Sequence, residues 1–390
     1  MTESRISPYE LFSIDDLLTE KERPVRDRAR IFVDDVVRPD VASWYERGTA
    51  PVRDLAKHLG SLGMLGMHLS GYGCPEASAI EYGLVCQELE AGDSGVRSLV
   101  SVQGSLAMHA IHTFGTEEQR ESWLPGMAAG ELIGSFALTE PDVGSNPTEM
   151  KTFARLDGSD WVLSGDKAWV TNGTVADVTI VWVNTDQGIR GFLVPMSTAG
   201  IEVVEVANKM SLRASATAHL RLNDVRLPQE AMLSVEGVRG PLSCLNEARY
   251  GIIFGALGAA RDCLESALTY ATERVQFDRP ISSFQLTQQK LVNMSVKLGN
   301  GMLLAIQLGR LKDSGQLRPQ QVSVGKLNST RTAIDIARES RTILGANGVT
   351  TAFPVMRHAN NLESVLTYEG TEEMHTLVVG QALTGIAAFR

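Results

Sequence analysis

The chain has 390 residues, enough for about two or three domains of ordinary size. Hydrophobic residues make up 43% and charged residues 21%, values close to globular averages that exclude a disordered or fibrous protein. Lys and Arg number 36 against 46 Asp and Glu, and the resulting net charge of −10 argues against a general nucleic-acid binder and against adhesion to an anionic membrane. A few local arginines can still bind a phosphorylated ligand, so the charge does not exclude nucleotides.

The sequence predicts neither a membrane span nor a targeting peptide. The longest apolar stretch, 250–260, has 11 residues, whereas a spanning helix needs ~20. Glu10, Asp15 and Glu20 come early and no apolar signal core accompanies them, which favours a cytoplasmic protein.

The cysteines are far apart and form no close-spaced metal pattern. We therefore expect free, buried thiols in a reducing compartment. They are Cys74, Cys86, Cys244 and Cys263.

The hydrophobic spacing is helical from about 14 to 130. The stretch 89–114 lacks proline and repeats apolar residues at three- and four-residue steps, which predicts a helix over that range. The segment 115–119 then combines a helix stop with an N-cap and an acidic first turn.

From about 132 to 227 the spacing changes to two. Short runs rich in β-branched and aromatic residues are separated by Gly, Asp, Asn and Pro, which predicts a small antiparallel sheet domain. The clearest runs are 179–183, 192–194, 201–206 and 219–222.

From about 240 to the end the helical spacing returns. Several helices near 25 residues long, joined by short loops, predict an antiparallel bundle that packs on the first helical block as well as on the sheet. The prediction is thus an α+β fold, mostly helical, with an N-terminal helical domain (1–131), a middle β domain (132–236) and a C-terminal helical bundle (237–390).

Several common catalytic motifs are missing from the sequence. It contains no P-loop, no dinucleotide fingerprint between a strand and a helix, and no Gly-x-Ser-x-Gly elbow. His109 and His112 share a helix face, but no third ligand is near in sequence, so no metal site is predicted.

Two segments in and beside the β block could bind a ligand. The segment 136–145 runs from a strand into a turn of small residues, whose amides can approach a flat ring or a phosphate, although an ordinary strand-end loop would look the same. Trp169 and Thr171 lie on one strand face and suit a ligand that needs stacking and a hydrogen bond, although a buried core Trp is the alternative.

Two further segments lie in the last helical block. Arg274 follows a helix, where it can serve the helix dipole or pair with a phosphate. Glu369 and Gly370 stand in a loop, where the carboxylate can project and the backbone can approach a ligand, although a helix cap with a solvated Glu fits equally.

These four segments, in this order and with helical, β and helical spacing, resemble the acyl-CoA dehydrogenase family over essentially the whole chain. A narrower resemblance to its glutaryl-CoA dehydrogenase branch is carried by 97–103, 245–251, 308–313 and 357–363. The resemblance implies an FAD-dependent homotetramer whose chain has an N-terminal helical domain, a middle antiparallel β domain and a C-terminal four-helix bundle.

The resemblance also implies roles for residues at the substrate. Glu369 resembles the base that removes the α-proton of the acyl thioester; some relatives place this base just before the arginine that matches Arg249, where this chain has Ala248. Arg97 resembles an arginine that pairs with the distal carboxylate of the substrate. The full implied set for the substrate is Glu90, Arg97, Ser98, Ser145, Asn246, Arg249, Tyr368 and Gly370.

The implied FAD contacts come from several parts of the chain, and three of these groups would reach the FAD of a neighbouring subunit: Arg274 with Phe277, Gln285, and the stretch 344–346. Val96, Asn146 and Ala346 depart from the common family pattern. The position of Glu373 often carries another acidic or amide residue in the family. The full implied set for FAD is Phe136, Leu138, Thr139, Gly144, Ser145, Trp169, Val170, Thr171, Arg274, Phe277, Gln285, Leu344, Gly345, Ala346, Thr371 and Glu373.

The implied reaction is the oxidation and decarboxylation of glutaryl-CoA to crotonyl-CoA and carbon dioxide, with electrons passed to an electron-transfer flavoprotein. Three alternatives stay open: a non-decarboxylating dehydrogenase of glutaryl-CoA or another short dicarboxylic acyl-CoA, an acyl-CoA oxidase, and a flavin- and CoA-binding protein without turnover. Neither a nucleic-acid nor a membrane partner is expected.

Overall fold

The structure, a computed structural model, describes residues 6–388; the first five and the last two residues of the predicted terminal domains lie outside the described range. The first part of the described chain is helical. Its helices are α1 (Glu22–Phe32), α2 (Val41–Arg47), α3 (Val52–Ser61), α4 (Ala79–Gly92), α5 (Ser94–Val100), α6 (His109–Phe114) and α7 (Glu117–Ala128). Wider π-helical turns at Val33–Val37 and Ser101–Met108 continue α1 and α5.

The predicted helix over 89–114 is interrupted, so that prediction is wrong at one point. Helix α4 ends at Gly92, and Asp93 is extended with φ −164° and ψ 141°. One Asp93 carboxylate oxygen accepts the amide of Gly95 at 2.7 Å and thereby caps α5. The other oxygen lies 3.0 Å from Asn361 Nδ2 and 3.1 Å from Arg357 Nε, so distant residues hold the break in place.

The middle part forms a seven-stranded sheet. The strands are β1 (Gly134–Ala137), β2 (Phe153–Asp157), β3 (Asp160–Thr171), β4 (Val178–Thr185), β5 (Gly188–Pro195), β6 (Ile201–Glu205) and β7 (Thr217–Pro228). Their order in the sheet is β1-β4-β2-β3-β7-β6, with β5 paired to β4. The prediction of an antiparallel sheet is confirmed for four of the six strand pairs, including β4 with β5, and is wrong for the pairs of β4 with β1 and β2, which are parallel. The β2–β3 hairpin lies between β1 and β4 in sequence and gives the chain the length that a parallel crossover needs.

The last part is a bundle of long helices. They are α8 (Arg239–Glu273), α9 (Gln285–Asp313), α10 (Pro319–Leu344), α11 (Val355–Thr367) and α12 (Glu372–Thr384), with a short hairpin of β8 (Val275–Gln276) and β9 (Arg279–Pro280) after α8. Short 3₁₀ turns lie at Glu10–Phe12, Ile14–Leu17, Pro147–Glu149, Gln229–Ala231, Ile281–Ser283 and Gly345–Val349.

One hydrophobic core joins the first and last helical parts. Helix α8 packs against both α4 and α10, and buried side chains from all three share a single cluster. A second cluster joins helices of the first part, the sheet and the start of α8. The predicted fold class is therefore confirmed, and the two helical parts pack on each other as the sequence order suggests.

Two further sequence expectations concern the described residues. Cys86, Cys244 and Cys263 are free and buried, and Cys74 is free and partly exposed. Within residues 6–388 no helix is both long and apolar enough to cross a bilayer.

Candidate active site

A strained loop between α11 and α12 presents Glu369. Its φ is 54° and that of Gly370 is 98°, so both residues occupy the left-handed region that is unusual for a residue with a side chain. A Cβ atom at Gly370 would lie 2.8 Å from His375 Nε2. The loop therefore needs glycine at this position, and surrounding contacts must hold Glu369 in its conformation.

Three side chains from three helices supply those contacts. Arg249 Nε of α8 donates to the Glu369 carbonyl at 2.6 Å. Lys326 Nζ of α10 donates to the carbonyls of Tyr368 at 2.6 Å and Gly370 at 2.5 Å, and His375 Nε2 of α12 lies 3.3 Å from the Glu369 carbonyl. All three carbonyls of the loop 368–370 are thus bound to side chains.

The Glu369 carboxyl lies in a desolvated position surrounded by cations. Its Oε2 atom is buried and has no hydrogen-bond partner among the described residues. Burial raises the pKa of Glu369 above its usual value, while Arg97, Lys326 and Arg249 act in the opposite direction. A carboxylate with a raised pKa and a free oxygen can act as a general base.

Arg97 lies beside this carboxyl and is 0% exposed. Its Nε donates to Glu90 Oε2 at 2.7 Å, and its Nη2 donates to the hydroxyl of Tyr368, whose ring centre is 5.6 Å from the guanidinium carbon. Its Nη1 is buried without a partner among the described residues. Because a buried, unpaired N–H is unfavourable, this arm of Arg97 is suited to receive an anionic group from a ligand.

The structure therefore brings most of the predicted substrate residues together. Asn246 Oδ1 accepts Arg249 Nη1 at 3.2 Å, and Ser98 is buried next to Arg97 on α5. Ser145 lies elsewhere, exposed in the loop after β1. The residues joined by direct contacts are Glu90, Arg97, Asn246, Arg249, Tyr368, Glu369 and Gly370.

A second predicted group lies where the segment after β1 meets β3. The Ala168 amide donates to the Thr139 carbonyl at 2.8 Å. Lys167, which is buried, donates to the Leu138 carbonyl at 3.1 Å and to Glu140 Oε1 at 2.9 Å. These bonds hold residues 138–140, in the middle of the predicted segment 136–145, against β3.

Trp169 is a surface residue, so the alternative of a buried core Trp is wrong. It is 61% exposed, its φ is 59°, and it lies in an irregular stretch of the β3–β7 pairing between Lys167 and Val170. Thr171 is partly exposed and Val170 is buried. An exposed indole beside a hydroxyl offers a stacking surface and a hydrogen bond to a flat ligand.

The neighbouring turn is equally open to a ligand. Gly144 and Ser145 are exposed, and nothing lies within 4 Å of the position that a Cβ of Gly144 would take. Phe136 and Leu138 are buried beneath it. A flat ring next to Trp169 with a phosphate on this turn fits the residues present.

The other predicted cofactor residues lie apart, on the outside of the chain. Arg274 and Gln285 are exposed, and Phe277 is 88% exposed at the tip of the β8–β9 hairpin. Gly345 and Ala346 are exposed just after α10, where Leu344 is buried. Thr371 caps α12 by accepting the Met374 amide at 3.2 Å, and Glu373, two residues later, is exposed.

The sequence reasoning missed four residues of these sites: Glu140, Lys167, Lys326 and His375. Lys326 has the clearest signal that was missed. It lies on the same face of α10 as the buried Val322 and Ala333, four residues after the first and seven before the second, and so interrupts an apolar face. A charged residue at such a position is rarely buried without a specific partner.

The chain is similar to known proteins over almost its whole length. Family models described as the acyl-CoA dehydrogenase N-terminal, middle and C-terminal domains match residues 19–131, 135–225 and 236–384. The short-chain specific acyl-CoA dehydrogenase of Bos taurus is 34% identical over 373 residues, which cover 93% of this chain and 90% of that protein.

Solved structures show the same likeness. Glutaryl-CoA dehydrogenase from Mycobacterium smegmatis is 61% identical with a TM-score of 0.98, over 99% of this chain and 100% of that one. A glutaryl-CoA dehydrogenase structure from the same organism in complex with FADH2 is 59% identical, with the same TM-score and coverage. Butyryl-CoA dehydrogenase from Megasphaera elsdenii is 30% identical with a TM-score of 0.90, over 94% and 98% of the two chains.

Proposed function

Since the chain belongs to the acyl-CoA dehydrogenase family, we propose that it uses FAD to oxidise glutaryl-CoA and then decarboxylates the product to crotonyl-CoA and carbon dioxide. The assignment of glutaryl-CoA as the substrate rests on the unpaired Nη1 of the buried Arg97, next to the candidate base Glu369. The likeness to glutaryl-CoA dehydrogenase from Mycobacterium smegmatis supports the same substrate.

Arg97 favours a dicarboxylic acyl group over a fatty acyl group. Glu90 already balances the guanidinium charge on its Nε side, whereas Nη1 still lacks a partner. A distal carboxylate would accept from Nη1, but a methyl end would leave that donor buried and unpaired, at a cost on the order of 1–3 kcal/mol.

In the proposed oxidation, Glu369 Oε2 removes the α-proton of the thioester. The carbonyls of 368–370 are bound to Arg249, Lys326 and His375, which fixes the backbone whose Glu369 amide would donate to the developing enolate oxygen. FAD, when bound, supplies the two-electron oxidant for the β-carbon. Trp169, Thr171 and the turn at Gly144 and Ser145 would hold it.

In the proposed decarboxylation, the γ-carboxylate leaves as carbon dioxide. The bonding electrons pass into the conjugated thioester, and Glu369, which carries the α-proton removed in the oxidation, protonates the dienolate at its γ-carbon to give crotonyl-CoA. Arg97, Glu90 and Tyr368 form the hydrogen-bonded group around the leaving carboxylate. The alternatives are release of glutaconyl-CoA without decarboxylation, turnover with oxygen as an acyl-CoA oxidase, and binding without turnover.

Product analysis separates these possibilities. Purified enzyme with glutaryl-CoA and an artificial electron acceptor is expected to yield crotonyl-CoA and an equal amount of carbon dioxide, measured by mass spectrometry and gas release. Accumulated glutaconyl-CoA would refute decarboxylation, and hydrogen peroxide formed with oxygen as the acceptor would identify an oxidase. Absence of any product with bound FAD would indicate binding without turnover.

We further propose that the protein is a cytoplasmic homotetramer that passes electrons to an electron-transfer flavoprotein. The exposed apolar residues around the β8–β9 hairpin support a partner chain at this surface, because such residues are unfavourable in water. They are Val275, Phe277 and Leu286. In the proposed tetramer, Arg274, Phe277, Gln285 and the stretch 344–346 reach the FAD of a neighbouring copy.

Phe277→Ala tests that arrangement. We expect light scattering to give four times the chain mass for the wild type and a smaller assembly for the variant. We also expect FAD per chain after gel filtration to fall from about one to below one half, because Phe277 is exposed in the single chain and the variant removes contact area that the proposed tetramer would bury. Ile31→Ala, which truncates another exposed apolar residue, should change neither value. Full FAD retention by a monomeric variant would contradict the proposal.

A further inference from the structure

Lys326 is a buried cation next to the candidate base. It is 1% exposed and lies on the face of α10 that packs into the helical core. Its ammonium donates to the carbonyls of Tyr368 and Gly370, the residues on either side of Glu369. The Lys326 side chain therefore links the carbonyls of the residues before and after Glu369.

This bridge opposes the intrinsic preference of the loop. Glu369 and Gly370 both have positive φ, a pair of conformations that an unsupported loop would seldom populate together. Arg249 and His375 contact the Glu369 carbonyl itself, so Lys326 is the group that holds the two neighbouring carbonyls. Losing the ammonium would release both ends of the strained segment.

Lys326 also acts on the Glu369 carboxyl through its charge. The other charged or titratable groups around this carboxyl include Arg97 from α5, Glu90 and Cys86 from α4, Arg249 from α8, His375 from α12 and the adjacent Tyr368.

The pKa values of His375 and Lys326 indicate which of these two side chains is charged. Burial lowers the pKa of His375 to about 3, so that ring is neutral at physiological pH. Burial lowers the pKa of Lys326 to about 7, while the Glu369 carboxylate acts to raise it. The positive charge of Lys326 is therefore sensitive to pH in the physiological range, unlike the arginine charges.

We propose that Lys326 is a positioning residue for the base: its ammonium holds the backbone of 368–370 in the reactive conformation and keeps the Glu369 carboxyl ionised. The inference rests on the proposed role of Glu369 as the α-proton base. It adds to that role a residue that touches neither the substrate nor the cofactor.

Lys326→Met tests the proposal because it removes the charge and both hydrogen bonds but keeps the length of the side chain. For the FAD-loaded enzyme with glutaryl-CoA, we expect kcat to fall roughly 100-fold with KM changed less than about threefold, as for a misplaced catalytic group. The low-pH limb of kcat/KM should move up by about one pH unit, because the base loses a neighbouring cation and its pKa rises.

Two variants serve as references for that measurement. Lys326→Arg keeps the charge and the donors, so the low-pH limb should return to the wild-type position and part of the lost kcat should be recovered. Lys297→Met removes an exposed lysine of the same bundle that pairs with Asp335, and it should match the wild type in kcat and in pH profile. FAD content and thermal unfolding are recorded for every variant.

The outcomes separate a positioning role from a structural one. A low-pH limb that stays in place in Lys326→Met, with no recovery in Lys326→Arg, overturns the proposal even if kcat falls. If Lys326→Met does not fold, Lys326→Arg decides, because a permanently charged guanidinium should remove any loss of activity that sets in as Lys326 deprotonates above about pH 7. An unchanged high-pH limb in that variant contradicts the proposal.

The test also distinguishes this inference from the function on which it rests. A wild-type enzyme that oxidises neither glutaryl-CoA nor butyryl-CoA refutes the proposed function before any variant is compared. A wild-type enzyme that is active, with Lys326→Met indistinguishable from Lys297→Met, refutes the positioning role alone.

Discussion

Glu369→Gln is expected to lower kcat with glutaryl-CoA by at least about 10³-fold, because the amide cannot accept the α-proton. The substitution keeps the size of the side chain, and the backbone bonds from Arg249, Lys326 and His375 do not involve the carboxyl group. Stopped-flow reduction of the bound flavin measures the step directly, and FAD content should stay at the wild-type level.

The stability of the same variant provides its control. Burial raises the pKa of Glu369 in the folded chain, so the native state favours the protonated form more than the unfolded state does. The wild type therefore loses stability as the pH rises above the unfolded pKa, until the folded pKa has been passed. Glu369→Gln lacks this loss, and its Tm at pH 8 should be no lower than that of the wild type. Retained turnover in a folded Glu369→Gln enzyme would assign the base to another residue.

Arg97→Ala is expected to discriminate between substrates. Removing one partner of a buried charge pair leaves the other unpaired and costs about 3–5 kcal/mol, which corresponds to a factor of roughly 10²–10³ or more in rate. We expect a loss of that size in kcat/KM with glutaryl-CoA, whose distal carboxylate would lose the Arg97 Nη1 donor. Butyryl-CoA has no such carboxylate and should lose less than about tenfold.

The control for this experiment involves Glu90, the buried ion-pair partner of Arg97. Glu90 is fully buried, and Arg97→Ala leaves its carboxylate without the guanidinium. A double variant with Arg97→Met and Glu90→Gln replaces the ion pair by neutral groups of similar size, and it should show the same preference for butyryl-CoA with better thermal stability. Equal losses on the two substrates would contradict a carboxylate anchor at Arg97.

Much of the fold could be predicted from local patterns. The change of hydrophobic spacing from about 3.6 to two and back marks the helical, β and helical parts, because each spacing follows from the geometry of one kind of element. Strand direction was not predictable in this way: β1 and β4 pair in parallel although their sequences read like those of the antiparallel strands. The break at Asp93 likewise depends on Arg357 and Asn361, far along the chain.

Part of the candidate site could likewise be predicted from the sequence. Glu369, Arg97 and Arg249 were predicted from short segments together with the family resemblance, and the structure places them in one cluster. Lys326 and His375 were not predicted. His375 has no distinctive neighbours in sequence, and the position of Lys326 among the apolar residues of α10 indicates burial without showing what it binds. Their importance arises from helices that meet the loop 368–370 only in the folded chain.

The sequence by itself determined the order of the three parts, the net charge of −10 and the presence of a carboxylate next to a glycine at 369 and 370. The tertiary structure decided that Trp169 is exposed, that Arg97 is buried with an unpaired arm, and that Lys326 binds both carbonyls around Glu369. The physical reason is that burial and hydrogen bonding between distant residues depend on which surfaces meet in three dimensions. Helix and strand patterns, in contrast, depend on residues only a few positions apart in the sequence.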